Sequence, residues 1–207
     1  DVSVLIITGS PIAGSFDYRN RVDFVRVPGV IKLSDGAYVP LSLDMDIDET
    51  VALRARIIRH TAEAFDPNLM IVDKEPLGLR GEVLDTLESL KARGTPLVLG
   101  LRDVLDEPEQ LATEWARKNV LPALIRLYDD IWVYGMPQLC DPLAGLDLPA
   151  KARRKVKFTG YLRRSAPVPA SVVSAAEPFA DQPFLLATAG GGGDGESLID
   201  WVLGAYE

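Results

Sequence analysis

Short and almost continuously apolar runs recur along the chain, and they constrain its fold more than any other feature. Residues 69–72 and 97–99 are examples. A run of this kind is typical of a strand buried on both faces, as in a parallel sheet covered by helices. The strands predicted in this way are 2–8, 23–27, 68–73, 96–101, 130–134, 156–161 and 183–189.

Segments with helical periodicity separate these strands. Residues 47–65 carry apolar side chains at the spacing of one buried face, namely Ile47, Val51, Ala55, Ile58, Ala62 and Phe65. Residues 81–92 predict a second helix, and 107–128 a third that Pro122 should kink or split. Residues 28–46 lack periodicity and predict a long loop. The alternation predicts an α/β fold, with a parallel-sheet Rossmann-like domain and helices on both faces.

The composition narrows the classes of function. The chain has 207 residues and a formal net charge of −8. This acidic balance argues against nucleic-acid binding, which needs a basic surface for the phosphates. A single cysteine, Cys140, and a single histidine, His60, exclude an internal disulfide, a cysteine-based zinc site and histidine pairs within this sequence. No apolar run has the length of a membrane span, and we expect a cytoplasmic protein.

A proline-rich stretch divides the chain. Residues 165–182 contain three prolines and many small residues, which is typical of a linker. Residues 183–207 then add a last strand to the first sheet or open a second domain, and we favour the second domain. The predicted organisation is an N-terminal domain over 1–164, the linker, and the start of a similar second domain over 183–207.

The glycine run after the last predicted strand is the strongest local signal. Gly190, Gly191, Gly192 and Gly193 lie between that strand and a predicted helix. Glycines let a backbone approach a ligand closely, and a helix N-terminus offers N–H groups to a phosphate. The run therefore predicts a phosphate or diphosphate site, with a tight turn that binds no ligand as the alternative.

Polar residues follow two of the predicted strands. Asp73, Lys74 and Glu75 follow 68–73, and Arg102 and Asp103 follow 96–101. Ligands of open α/β sheets bind at the carboxyl ends of the strands. The acids are candidate general bases and the cations candidate anion ligands. The alternative is a pair of opposite charges that closes the sheet edge.

Three further features are weaker. Ser10 follows the first strand and is an acceptor-side candidate, although an ordinary loop explains it as well. The acids of residues 44–49 lack the glycine and glutamate of a calcium loop, and we expect no metal site. A basic cluster predicts either a solvated face or peripheral contact with an anionic membrane, and consists of Lys151, Arg153, Arg154, Lys155, Lys157, Arg163 and Arg164.

Several segments resemble the bacterial predicted glycosyltransferases related to family 28, which have the two-domain GT-B architecture. The resembling segments are Leu5-Ile-Ile-Thr-Gly-Ser-Pro, Val72-Asp-Lys-Glu-Pro-Leu-Gly, Val98-Leu-Gly-Leu-Arg-Asp-Val-Leu-Asp-Glu-Pro, Ile131-Trp-Val-Tyr-Gly, Phe158-Thr-Gly-Tyr-Leu and Ala187-Thr-Ala-Gly-Gly-Gly-Gly-Asp-Gly. They extend through nearly the whole sequence. The resemblance also implies a fragment, because the family's first strand would precede Asp1 and most of the second domain would follow Glu207.

The resemblance implies an activity. The first domain would hold an unknown acceptor, and the second a nucleotide sugar, usually a UDP-sugar, as co-substrate. The four glycines would meet the donor diphosphate, without a tightly bound cofactor or metal. We therefore expect an inverting transfer of the sugar to an acceptor hydroxyl. The alternatives are an NAD(P)-dependent oxidoreductase that uses the glycine run, and a non-catalytic nucleotide- or carbohydrate-binding module.

Overall fold

The chain divides into two compact units, Asp1–Leu162 and Arg163–Glu207. The computed structural model describes residues 1–15, 18–33, 36–162, 183–188 and 195–205. The strands of the first unit are β1 (Val4–Thr8), β2 (Val22–Arg26), β3 (Val30–Lys32), β4 (Tyr38–Pro40), β5 (Met70–Asp73), β6 (Leu97–Arg102), β7 (Asp130–Tyr134) and β8 (Val156–Phe158). Its α-helices are α1 (Ile47–Phe65), α2 (Leu84–Ala92), α3 (Pro108–Arg117), α4 (Val120–Arg126) and α5 (Ala150–Arg153). In the second unit the structure describes the helix α6 (Glu196–Gly204).

The central sheet is parallel and has the order β5-β6-β7-β8. Helices connect its strands: α2 lies between β5 and β6, and α3 and α4 lie between β6 and β7. Strands β1 and β2 form a separate parallel pair, and β3 and β4 form a short antiparallel pair. The predicted α/β class with a parallel sheet flanked by helices is confirmed, and this sheet is compatible with a Rossmann-like fold.

The main core lies on one face of the four-stranded sheet. Val72, Leu99 and Ile131 point to this face and are buried. Apolar side chains of α1, α2, α3 and α4 pack against them in a single cluster, which includes Ile58 and Leu87. The strands therefore meet their helices through this face.

The opposite face of this sheet is more open. Strand β6 is buried throughout residues 97–101, but Ile71 of β5 is 45% exposed. Trp132 and Tyr134 on this face are only partly buried. The core cluster joins the helices to strand residues of the first face and contains none of the strand residues of this opposite face, so helices on both faces are confirmed for the first face.

Helix α1 buries the predicted Ile58 and Ala62, but its buried stripe is rotated from the predicted one. Its buried residues are Thr50, Arg54, Ile58 and Ala62, whereas Phe65 is 43% exposed. Asp46 caps the helix by accepting the Glu49 N–H at 2.8 Å. The cap explains the acids at the start of this segment, because carboxylates stabilise a helix N-terminus.

Three predicted elements differ in part from the observed ones. The predicted loop 28–46 contains the β3–β4 hairpin. The predicted helix 107–128 does split, but at Asn119, whose φ of 52° is left-handed. Pro122 lies in the first turn of α4, where no intrahelical N–H bond is lost. Residues 183–188 of the predicted last strand form no strand, and the linker 165–182 lies outside the described residues.

Candidate functional site

The carboxyl ends of the parallel strands bring the polar candidates together. Strands β5 and β6 end at Asp73 and Arg102, and Tyr134 ends β7 at the same edge. The Lys74 N–H donates to the Gly100 carbonyl oxygen at 2.8 Å and continues the pairing beyond β5. The edge formed by residues 73–75, 102–106 and 134–135 and by Tyr161 is called the carboxyl edge below.

Ion pairs occupy part of the carboxyl edge. Glu75 lies 2.7 Å from Lys118, which lies 2.6 Å from Glu114. Lys74 lies 4.0 Å from Asp106. Burial opposes the charge of Lys118, but the hydrogen bonds to Glu114 and Glu75 outweigh it and raise the pKa of this lysine. Charge pairing, the alternative for these residues, therefore accounts for Lys74 and Glu75. Their partners, Asp106 and Lys118, are distant in sequence and were not indicated by it.

Asp73 and Arg102 have no such partners. Both are exposed, and within the described ranges neither side chain makes a hydrogen bond or an ion pair. An exposed guanidinium at the end of a parallel strand is suited to bind an anionic group. An exposed carboxylate in the same position is suited to accept a hydrogen bond from a ligand hydroxyl.

Asp103 is held against the residues that follow β8. The Tyr161 hydroxyl donates to Asp103 Oδ2 at 2.7 Å, and this hydrogen bond raises the pKa of Tyr161. The Asp103 side chain lies against the backbone of Gly135, where a Cβ would be 2.4 Å from Asp103 Cβ, so only glycine fits at that position. Asp103 therefore differs from Asp73, since a tyrosine already occupies one of its oxygens.

Tyr134 is a residue of the carboxyl edge that the sequence analysis did not single out. Its hydroxyl lies over Gly100, where an added Cβ would be 2.1 Å from the hydroxyl oxygen. Burial and the negative charge of Asp73 raise the pKa of Tyr134, so this phenol keeps its proton. Its position at the end of a predicted strand was the available signal.

A small cavity lies beside this edge. It has a volume of about 130 Å³ and is lined by residues 104–108 and 140–142. Cys140 is partly buried there. His60 is exposed on α1, and no hydrogen bond joins the two residues in the described part of the chain.

The other predicted site residues are not joined to this cluster. The Ser10 N–H donates to Thr8 Oγ1 at 3.1 Å in the loop after β1. Across the described ranges, no hydrogen bond or ion pair links Ser10 to the residues after β5 and β6. The glycine run, Gly190 to Gly193, lies outside the described residues.

The basic cluster is partly occupied by contacts within the first unit. Lys155 Nζ donates to the carbonyl oxygens of Leu124 and Ile125 at 2.8 Å, near the end of α4. Arg153 donates to the carbonyl oxygens after β7, and Lys157 lies 2.7 Å from Asp130. Arg163 and Arg164 lie outside the described residues.

Comparison with known proteins adds no family assignment. No protein-family model matches the chain, and a search of curated proteins gives no significant match. Among the described residues, no three His, Cys, Asp or Glu side chains are grouped so as to hold a metal ion. None of the helices in the described ranges has both the length and the apolar character needed to cross a membrane.

Proposed function

We propose that the chain is the acceptor-side part, with the start of the donor side, of an inverting glycosyltransferase that uses a nucleotide sugar. The observation that carries this proposal is the carboxyl edge, where Asp73 and Arg102 lie unpaired at the ends of adjacent parallel strands. Open α/β sheets bind their ligands at this edge. The segments that resemble family 28 glycosyltransferases contain the same two residues.

The proposed reaction has one displacement step. The acceptor oxygen forms a bond to the anomeric carbon, while the bond from that carbon to the nucleoside diphosphate breaks. The hydroxyl proton passes to a carboxylate, and Asp73 is the candidate with both oxygens free of described partners. The diphosphate leaves with the bonding electron pair and would be stabilised by backbone N–H groups of the glycine run.

The first test is thermal unfolding of the full-length protein with UDP, other nucleoside diphosphates and NAD(H). A ligand present at 100 times its dissociation constant stabilises the folded state by about 2.7 kcal/mol, which raises the melting temperature. Stabilisation by UDP or another nucleoside diphosphate supports the transferase. Stabilisation by NAD(H) alone supports an oxidoreductase instead, and no stabilisation by any of them contradicts the use of a nucleotide.

A substitution in the glycine run sharpens this test. Gly192→Val places a branched side chain where the donor diphosphate would approach, and we expect it to abolish the stabilisation by nucleotide. Gly204→Val, in α6, is the matched control, because an added Cβ there meets no atom within 4 Å. If the Gly192 variant binds nucleotide as the wild type does, the glycine run has no role in donor binding.

A further inference from the structure

Two polar groups of the carboxyl edge lack partners and lie close together. The Tyr134 hydroxyl and the Asp73 carboxylate make no side-chain hydrogen bond within the described residues. Among all the described residues, Thr86 Oγ1 of α2 is the only fully buried side-chain polar atom that lacks a hydrogen-bond partner. The Tyr134 hydroxyl is therefore open to solvent, although its ring is partly buried.

The strand register explains why the two groups meet. Asp73 lies opposite Gly100, and Arg102 lies opposite Tyr134, so Asp73, Gly100 and Tyr134 share one face of the sheet. Because Gly100 has no side chain, the Tyr134 ring occupies its place: a Cβ there would lie 2.8 Å from the ring carbon Cζ. The phenol thus extends across β6 towards β5, near enough for the charge of Asp73 to act on it.

We propose that Asp73 and Tyr134 together bind a single hydroxyl group of a sugar or polyol. A hydroxyl is both donor and acceptor, so it donates to the carboxylate while it accepts from the phenol. This inference rests on the proposed function, because it names the atoms that would hold the acceptor hydroxyl. The pair would place that oxygen beside the carboxylate that takes its proton.

The same pair disfavours other ligands. The Asp73 carboxylate repels an anionic group, so an anion would bind nearer the Arg102 guanidinium, which lies opposite Tyr134. Within the ranges that the structure describes, no three His, Cys, Asp or Glu side chains are grouped so as to hold a metal ion. Both residues end strands of the central sheet, which hold a bound group more rigidly than loops do. The Asp73–Tyr134 pair itself therefore suits a neutral hydroxyl, and Arg102 beside it is available for an anionic group of the same ligand.

The test measures the binding of glucose, N-acetylglucosamine and glycerol to the full-length protein by saturation-transfer NMR. We expect at least one probe to bind. Tyr134→Phe removes the donor and Asp73→Asn removes the charged acceptor, and each should weaken binding about tenfold. Gly100→Ala should have a similar effect, because the methyl group displaces the Tyr134 ring without changing either polar group.

Tyr38→Phe is the matched control, since it makes the same chemical change on β4 of the hairpin and should leave the dissociation constant unchanged. The melting temperature of each variant shows that it is folded. The proposal is overturned if none of the three probes binds, or if the Tyr134 and Asp73 variants bind the probe as tightly as the wild type.

Nucleotide stabilisation, measured in parallel, separates this inference from the proposed function. If UDP stabilises the protein but no probe depends on Tyr134 and Asp73, the transferase stands and the hydroxyl pair is wrong. If a probe depends on both residues but no nucleoside diphosphate stabilises the protein, the pair stands as a carbohydrate-binding site. The transferase is then wrong.

Discussion

Arg54 connects three elements through one buried side chain. Its Nε and Nη2 donate to the two Glu82 carboxylate oxygens at 2.5 and 2.7 Å, just before α2. Its Nη1 donates to the Pro28 carbonyl oxygen after β2. The Arg54 guanidinium also lies against Gly9, where a Cβ would be 2.7 Å from Nη1. Arg54 therefore links the β1–β2 pair to the helices of the main core.

Glu82→Gln should destabilise the protein strongly. The Arg54 and Glu82 side chains are only 9% and 5% exposed. Removing one partner leaves a buried charge without its counter-ion, which costs about 3–5 kcal/mol. Urea unfolding measures this loss as a fall in the free energy of unfolding.

Glu63→Gln is the control for that prediction. It breaks the Arg59–Glu63 pair, whose side chains are 46% and 36% exposed. Exposed pairs of this kind contribute little to stability, because water screens the charges. Equal losses in the two variants would contradict the structural role of the buried pair.

At the scale of elements, hydrophobic periodicity predicted the long and regular strands and helices. The strands of the central sheet and α1 follow from their patterns, whereas β3 and β4 are too short, at three residues each, to show a period. The break at Asn119 depends on a left-handed residue, which periodicity does not reveal. The buried side of α1 includes the predicted Ile58 and Ala62. It also includes Arg54, because Glu82, a residue distant in sequence, neutralises the Arg54 charge.

The candidate site was likewise predictable only in part. The rule that ligands bind at strand ends indicated Asp73 and Arg102, and the structure brings both to one edge. The same rule applies to Tyr134, but its proximity to Asp73 depends on Gly100 of the strand between them. That relation depends on the pairing of strands that are distant in sequence, and no local motif of the chain shows it. The glycine run, Gly190 to Gly193, stays a prediction.

Asp129 joins two elements, and its contribution to stability should depend on pH. Its carboxylate accepts a hydrogen bond from Lys91 of α2 and one from the Leu97 N–H of β6 at 2.9 Å. Burial opposes the charge, but these bonds outweigh it and hold the pKa of Asp129 below its usual value of 3.8. A carboxylate whose pKa is lowered by folding stabilises the folded state at any pH above its pKa in the unfolded chain. This stabilisation is lost as the pH falls through the pKa of the folded state.

Asp129→Asn should therefore reduce the free energy of unfolding at pH 7, by less than about 1 kcal/mol because the side chain is largely exposed. The difference from the wild type should shrink below about pH 4. Asp147→Asn, which changes the net charge equally at an exposed position, is the control. Urea unfolding at pH 7 and pH 3 measures both, and a difference that does not change with pH contradicts the role of the ionised carboxylate.

At the scale of the whole first unit, the parallel strands form two sheets that share one core. Val27, which follows β2, belongs to the same apolar cluster as Leu99 of β6. Within the described residues, β1 pairs only with β2, and β5 pairs only with β6. The outer edge of β5 therefore carries N–H and C=O groups that no strand of the described residues pairs.

The outer edge of β5 makes a prediction for hydrogen exchange in the 207-residue chain. The N–H groups of Met70 and Lys74 donate to carbonyl oxygens of residues 96 and 100. The N–H groups of Ile71 and Asp73 point the other way, because alternate residues of a strand face opposite neighbours. Ile71 and Asp73 should therefore exchange faster than Met70 and Lys74 in an amide-resolved NMR measurement. Equal protection of all four amides would contradict an open edge, because Ile71 and Asp73 would then need a further strand as their partner.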